Sequence, residues 1–205
     1  MKKTKTLFVV FILLSVSLSQ RPERNEIVSE RHPNGLKKIV NVFEGTGINE
    51  LLVGKYGFYE SGVKHFVELY KNNKKHGPSI YYYGNGQKNI ERNYKDGKMD
   101  GFYTYWYENG KKQEEGTSKD GLPNGIITSW FENGQKNKEI TFKNGKLDGL
   151  GIGWYEDGQK EFEGTYKDGK SDGRYTNWYE NGQKQEEGTS KDGLPNGIIT
   201  SWFEN

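Results

Sequence analysis

The chain has 205 residues, of which 31% are hydrophobic and 14% aromatic, and 28 are glycine. This composition provides too few aliphatic side chains for a thick globular core and too many aromatic ones for a disordered chain. The 30 basic and 28 acidic residues nearly balance and there is no cysteine, so the sequence predicts neither a nucleic-acid-binding surface nor disulfides.

The first segment, residues 1–19, has the layout of a secretory signal peptide. Three lysines precede an apolar run, Leu7–Leu14, and small serines lie just before a cleavage site ahead of Gln20. As a helix, residues 7–19 would rise about 20 Å, which is short of the roughly 30 Å apolar layer of a bilayer. We therefore predict export to the periplasm, the cell surface or the medium, with no integral membrane segment after cleavage.

The next segment is polar, and residues 20–33 are predicted to form a flexible lead-in. A degenerate first repeat follows over residues 34–55, where Asn34-Gly35 matches the turn dipeptides of later units. The spacing to the next unit is 27 residues instead of 24, which indicates a three-residue insertion or bulge. Atypical terminal units commonly cap repeat arrays.

From residue 56 onwards the chain has a fixed period of 24 residues. Residues 106–133 and 178–205 are identical except that Lys111 is replaced by Gln183, and they lie 72 residues apart. A fixed period of this length indicates an array in which each unit packs on its neighbours. The tryptophans all occupy the same position of the unit, and we expect them to form the structural core of the repeats: Trp106, Trp130, Trp154, Trp178 and Trp202.

Each unit contains two turn dipeptides, such as Asn109-Gly110 and Asp120-Gly121, and a third glycine. These dipeptides between alternating flanks are strong signals for hairpins with type I′ turns, because Asn, Asp and Gly tolerate positive φ. So many glycines would break a helix. The sequence therefore predicts an all-β fold, an elongated array of antiparallel β-hairpin repeats arranged as a single-sheet meander with solenoid character.

The unit G-x-Y-x-x-W-Y-E-N-G-x-K-x-x-E-G-x-Y-K-D-G-K-x-D resembles the bacterial variant of the MORN repeat, found in the YwqK-like antitoxin family. The resemblance covers residues 56–205, and W-Y-E-N-G and Y-K-D-G-K are its most specific segments. It implies an elongated antiparallel β-sheet array that binds other macromolecules. The last unit stops at Asn205, one residue before the glycine of its turn, so we expect the array to be truncated at its C-terminus.

No catalytic, cofactor-binding or metal-binding constellation is evident. Catalysis needs a nucleophile, a base and an orienting group that converge, whereas residues that recur in every unit are explained by the repeat. His32, His65 and His76 have no acidic partner at a motif spacing, and we expect His32 and His76 to face solvent. We therefore predict that the protein is not an enzyme and has no cofactor and no bound metal.

A second aromatic row occupies the position after the tryptophan. Neighbouring residues of a strand point to opposite faces, so we expect this row opposite the tryptophans. Because exposed aromatic rows mark interaction surfaces, the row is either a brace of the sheet or a binding platform for a peptide strand or sugar rings. Its members are Tyr83, Tyr107, Phe131, Tyr155, Tyr179 and Phe203.

These features together predict a non-enzymatic repeat scaffold of the bacterial envelope or exterior that binds an unknown protein partner and no nucleic acid. One alternative is a repeat module that binds glycans or the cell wall, since similar aromatic and glycine-rich hairpins occur in such proteins. The other alternative, which the family resemblance suggests, is an antitoxin or immunity partner of a toxin.

Overall fold

A computed structural model describes residues 24–45 and 51–204, which form 17 β-strands and no helix. The predicted signal peptide lies outside the described residues. The strands are β1 Arg24–Arg31, β2 Lys37–Glu44, β3 Leu51–Phe58, β4 Lys64–Lys71, β5 Lys74–Tyr82, β6 Lys88–Lys95, β7 Lys98–Trp106, β8 Lys112–Lys119, β9 Leu122–Pro123, β10 Gly125–Trp130, β11 Lys136–Lys143, β12 Lys146–Trp154, β13 Lys160–Lys167, β14 Lys170–Trp178, β15 Lys184–Lys191, β16 Leu194–Pro195 and β17 Thr200–Ser201.

All strands belong to one open sheet, and successive strands pair antiparallel in chain order. The short strands β9 and β10 follow one another along the same side of β8, and β16 and β17 do so along β15. The predicted single-sheet array of antiparallel hairpins is therefore confirmed. Within residues 24–45 and 51–204 there is no helix long and apolar enough to span a membrane.

The Asp-Gly turns have the predicted type I′ geometry. The φ angle is +52° at Asp120 and +90° at Gly121, and the flanking residues Lys119 and Leu122 pair directly. Two positive φ angles in a two-residue loop define this turn and match the twist of the flanking strands. The same pair of positive angles occurs at residues 96–97, 144–145, 168–169 and 192–193.

The Asn-Gly turns differ from the prediction, which is wrong about their type. Gly110 has a φ of +82°, but Asn109 is not in the left-handed region. The Tyr107 backbone N donates to Lys111 O at 2.9 Å, and Gly110 N donates to Tyr107 O at 2.9 Å, which closes a three-residue loop. Asn109 Oδ1 accepts a hydrogen bond from Lys111 N at 2.9 Å. Asparagine therefore stabilises this turn through a side-chain hydrogen bond and not through a positive φ angle.

The predicted flexible lead-in is corrected over part of its length. Residues Arg24–Arg31 form β1, which pairs with β2 across a turn of the same three-residue kind, where His32 N donates to Leu36 O at 2.9 Å. An edge strand needs few apolar side chains because its partner strand supplies the backbone hydrogen bonds. The polar composition of residues 24–31 therefore did not indicate a strand. Residues 46–50, within the expected insertion, lie outside the described part of the chain.

Alternation along the strands gives the sheet two faces. We call the face of Thr104 and Trp106 the tryptophan face, and the face of Tyr103 and Tyr105 the tyrosine face. A single sheet has no second layer, so its side chains are buried mainly by neighbours on the same face. The apolar side chains that are buried most completely in the described residues are Val40, Val42 and Tyr103.

Rings on the tyrosine face lie over glycines of the adjacent strand. Gly153 pairs with Phe162 in register, and a Cβ at Gly153 would lie well under 3.0 Å from the Phe162 ring. A Cβ at Gly188 would lie 3.0 Å from Tyr175 Oη. These glycines let aromatic side chains lie flat against the sheet, which fixes the positions of the rings.

Candidate functional site

The tryptophan face has the same arrangement of three side chains in unit after unit. Lys136 Nζ lies 2.6 Å from Glu139 Oε2 and 5.5 Å from the centre of the Trp154 ring. The charges are paired and the ring is covered by the ammonium group, so the arrangement links neighbouring strands at the surface. The equivalent sets are Lys88–Glu91–Trp106, Lys112–Glu115–Trp130, Lys160–Glu163–Trp178 and Lys184–Glu187–Trp202.

The tryptophans recur in register along the sheet, but they are not its most buried aromatic residues. Trp154 is half-buried, and Trp202 is 38% exposed. Tyr103, on the opposite face, is only 6% exposed. The tryptophans therefore act as surface links between strands, whereas the deepest packing lies on the tyrosine face.

The second predicted aromatic row lies at the three-residue turns and bridges adjacent units. Tyr107 Oη donates to the Trp130 carbonyl at 2.8 Å. These contacts give the row a structural role, and its use as a binding platform stays a prediction. The equivalent hydrogen bonds run from Tyr59 to Tyr82, from Tyr83 to Trp106, from Tyr155 to Trp178 and from Tyr179 to Trp202.

His32 and His76 are less exposed than expected. His32 Nε2 lies 2.8 Å from the Phe58 carbonyl, so this half-buried residue takes the place that tyrosine has in later turns. The Nδ1 atom of His76 is buried and lies 3.4 Å from Asp96 Oδ1. His65 stacks against Tyr59, with 4.4 Å between the ring centres. Each of the three is explained by a local structural contact.

Phe131 interrupts the hydrogen bonds of the second aromatic row, because it has no hydroxyl to donate to the carbonyl of Trp154. We expect Phe131→Tyr to raise the free energy of unfolding by about 1 kcal/mol, the usual net value of one hydrogen bond. Urea denaturation followed by tryptophan fluorescence measures the change. Tyr107→Phe is the matched control and should lose a similar amount. If Tyr107→Phe lowers the free energy of unfolding but Phe131→Tyr does not raise it, the Trp154 carbonyl is not accessible to a hydroxyl at position 131.

The tyrosine face holds a buried carboxylate near its N-terminal end. Glu68 is 6% exposed and accepts hydrogen bonds from Lys75 Nζ at 2.5 Å, from Tyr70 Oη at 2.7 Å and from Tyr81 Oη. Burial by itself would raise the pKa of Glu68, but the three donors outweigh it and the pKa lies below its ordinary value. Burial and the hydrogen bond to Glu68 both raise the pKa of Tyr81.

A basic residue among tyrosines lies two strands away from this carboxylate. Ser79 pairs in register with Glu68 on one side and with Arg92 on the other, and Arg92 pairs with Tyr103. Arg92 Nε donates to Tyr105 Oη at 3.1 Å, and the guanidinium carbon lies 5.1 Å from the centre of that ring. Charged and aromatic side chains thus meet on one face of the sheet.

The tyrosine face differs between several of the units. The position of Glu68 and Arg92 is filled by glycine or isoleucine in later units: Gly116, Ile140, Gly164 and Gly188. Near the C-terminal end, Phe162, Tyr166 and Tyr175 line a shallow depression of about 240 Å³ together with Ser171, Asn177 and Ser190. The side chains of this face therefore differ along the array, whereas the lysine, glutamate and tryptophan of the other face recur.

The tryptophan face also has a row of exposed side chains. Each of them directly follows the last glycine of its unit, as Phe102 follows Gly101. Phe102 is 75% exposed, Ile126 is 56% exposed and Leu150 is 43% exposed. Exposed apolar side chains in a row are candidates for contact with a partner. The tryptophan face therefore varies between units at this position, beside its recurring Lys–Glu–Trp sets.

No group of three or more His, Cys, Asp or Glu side chains is placed to hold a metal ion in the described ranges. Sequence reasoning did not single out Glu68, Ser79 and Arg92, although one signal was available. Once the units are aligned at their 24-residue period, these positions are occupied by polar or charged residues where later units have glycine, isoleucine or tyrosine.

These features define a β-hairpin repeat protein whose units share one sheet. The family model described as MORN repeat variant matches residues 75–96, 99–120, 123–144, 147–168 and 171–192, together just over half of the chain. The chain therefore belongs to the MORN repeat variant family. A comparison with characterised proteins gives no significant match. The bacterial origin and the YwqK-like antitoxin assignment stay predictions.

Proposed function

We propose that this protein is a non-enzymatic scaffold of the cell envelope or exterior that binds a protein partner on its tyrosine face. The supporting observation is the division between the two faces. The Lys–Glu–Trp sets recur with the same contacts, whereas the side chains of the tyrosine face differ between several units, for example at Glu68, Arg92 and Ile140. The chain belongs to a repeat family, and arrays of stacked repeats present extended surfaces that suit a binding role.

The composition of the tyrosine face favours a protein partner. Tyrosine and arginine are over-represented among the residues that contribute most to protein–protein affinity. Tyr81, Tyr103, Tyr105 and Arg92 lie on neighbouring strands of this face. Their hydrogen bonds and ring contacts hold them in place before a partner arrives, which reduces the entropy cost of binding.

The proposed location rests on the N-terminal sequence. Residues 1–19 combine lysines, a short apolar run and small residues before a cleavage site, which is typical of exported proteins. An antitoxin neutralises its toxin inside the producing cell, so export favours the scaffold over that alternative.

Site-specific photo-crosslinking in the producing cell tests the proposal. A photoreactive phenylalanine derivative replaces Ile140 on the tyrosine face or, as the matched control, Ile126 on the tryptophan face of the neighbouring strand. We expect protein adducts at position 140 in excess of those at position 126, although Ile126 is the more exposed side chain. Adducts confined to position 126 would assign binding to the tryptophan face and overturn the proposal.

A glycan is the second candidate ligand, and the depression near Phe162 favours it. Its aromatic walls offer stacking surfaces, and Ser171, Asn177 and Ser190 offer hydroxyl and amide groups. Calorimetric titration with cell-wall oligosaccharides tests this candidate. Binding that is lost in Phe162→Ala would support a glycan module, whereas no heat of binding in the wild-type protein would exclude these oligosaccharides as ligands.

A further inference from the structure

Arg92 is a half-buried cation on β6, on the tyrosine face of the sheet. The five lysines of the tryptophan-face sets, as well as Lys75, lie within 2.6 Å of a glutamate oxygen. Arg92 forms no ion pair with any of the described residues. Its Nε donates a hydrogen bond to Tyr105 Oη, and its guanidinium lies over the Tyr105 ring. Because Arg92 has five N–H donors, N–H groups of its guanidinium remain that can donate hydrogen bonds to a ligand.

A buried hydroxyl group lies beside Arg92 on the neighbouring strand. Ser79, its partner in register on β5, is 2% exposed, and its Oγ has no hydrogen-bond partner within the described residues. Buried polar atoms are paired in most structures, and each exception calls for an explanation. The Glu68 carboxylate, on the other side of Ser79, accepts hydrogen bonds from Lys75, Tyr70 and Tyr81 and is already neutralised by Lys75.

We infer that Arg92 and the tyrosines around it form an anchor site for a carboxylate group of an acidic segment in the protein partner. The inference rests on the proposed function and specifies the chemistry of the partner. The planar guanidinium presents paired donors that match the two oxygens of a carboxylate. Burial of the site strengthens such a pair relative to one in bulk water.

The surrounding tyrosines supply the rest of the site. Tyr103 and Tyr105 have ring centres 5.2 Å apart, and Tyr103 Oη donates to Glu114 Oε1 at 3.0 Å. The ring of Tyr105 supports the guanidinium through a cation–π contact, which leaves the side chain little freedom to lose on binding. A charged anchor enclosed by aromatic rings is a common arrangement for an interface hot spot.

The site is specific to one part of the array, which provides controls from the chain itself. Isoleucine fills the equivalent position at Ile140, so Arg92→Ile is compatible with the fold of a unit. Arg92→Lys keeps the charge but loses the paired donors. Arg174 is an exposed arginine on the tryptophan face, and Arg174→Gln removes the same charge from the opposite side of the sheet.

Fluorescence anisotropy with two labelled peptides tests the inference on the full chain. The probes are Gly-Glu-Tyr-Glu-Tyr-Glu-Gly and its counterpart with glutamine in place of each glutamate. We expect the wild-type protein to bind the glutamate peptide at least tenfold more tightly. Arg92→Ile should abolish this difference, Arg92→Lys should reduce it, and Arg174→Gln should leave it unchanged. Circular dichroism of each variant verifies that the sheet is intact.

Several outcomes would overturn the inference. These are equal binding of the two peptides, an equal effect of Arg174→Gln and Arg92→Ile, or tighter binding of a phosphotyrosine peptide than of the glutamate peptide, which would assign phosphate chemistry. Crosslinking at position 140 separates this inference from the proposed function. Adducts that persist in Arg92→Ile contradict the anchor alone, whereas the absence of protein adducts in the wild type contradicts the proposed function.

Discussion

Replacement of Glu68 by glutamine is expected to lower the free energy of unfolding by about 3 kcal/mol, since breaking a buried ion pair leaves the other charge uncompensated. Glutamine has nearly the shape of glutamate, so the packing on the tyrosine face is kept. What is lost is the negative charge that accepts hydrogen bonds from Lys75, Tyr70 and Tyr81. The Lys75 ammonium group then remains in the site without its partner.

Acid should have the same effect on the wild-type protein. Because the folded-state pKa of Glu68 is lowered from its ordinary value of 4.5, the ionised carboxylate stabilises the fold fully above that value. This stabilisation is lost as the pH falls through the lower, folded-state pKa. In Glu68→Gln this group no longer titrates, so the difference in stability between the two proteins should shrink on acidification below pH 4.5.

Urea denaturation at pH 7 and at pH 3, with hydrogen exchange of the β4 and β5 amides, measures both effects. Hydrogen exchange is needed because units of an array can open independently of one another. Glu115→Gln is the matched control: its partner Lys112 lies at the surface, and exposed pairs contribute about 0–1 kcal/mol. Equal losses in the two variants would contradict a special role for the buried site.

The 24-residue period was sufficient to predict the fold, because hairpin turns are determined locally and repeated units must pack in the same way. The Asp-Gly turns illustrate this, since two residues with positive φ suit a two-residue loop. The Asn-Gly dipeptide does not determine the turn type, because it suits a three-residue loop as well as a two-residue loop. The decisive feature is the hydrogen bond between Tyr107 and Lys111, which depends on where pairing begins in the flanking strands.

The candidate site was harder to predict because it depends on register across several strands. Irregular pairing near the third glycine shifts the register between Arg92 and Tyr94, so spacing along the chain does not give the cross-strand neighbours. The hydrogen bonds of the second aromatic row were also not predictable from the sequence. Its positions follow from the repeat, but the hydrogen bond from Tyr107 to the Trp130 carbonyl depends on the conformation of two adjacent loops.

The two faces also explain how an array can combine stability with a specific surface. Each Lys–Glu–Trp set links neighbouring strands in the same way, so the nearly identical segments 106–133 and 178–205 form the same contacts at two places in the array. The opposite face is then free to vary where packing permits. A glycine at Gly164 and a charged side chain at Arg92 occupy equivalent positions.

Gly173→Ala is expected to lower the free energy of unfolding by about 3 kcal/mol, from backbone strain together with overpacking. Gly173 has a φ of +119°, which residues with a Cβ rarely adopt. An added Cβ would lie well under 3.0 Å from Thr165 Oγ1, which donates to the Asp172 carbonyl at 2.7 Å. The methyl group would therefore displace Thr165 and break this hydrogen bond.

Gly169→Ala is the control for an added Cβ at positive φ without a collision. Gly169 has a φ of +89°, but a Cβ there would meet no atom within 4 Å, so only the backbone cost of about 1 kcal/mol is expected. In the double variant Thr165→Ala, Gly173→Ala the collision disappears, and the combined loss should be smaller than the sum of the single losses by about 1 kcal/mol. Urea denaturation of the four proteins and the wild type gives these values. Strict additivity of the two changes would mean that backbone strain at Gly173, and not contact with Thr165, requires glycine at this position.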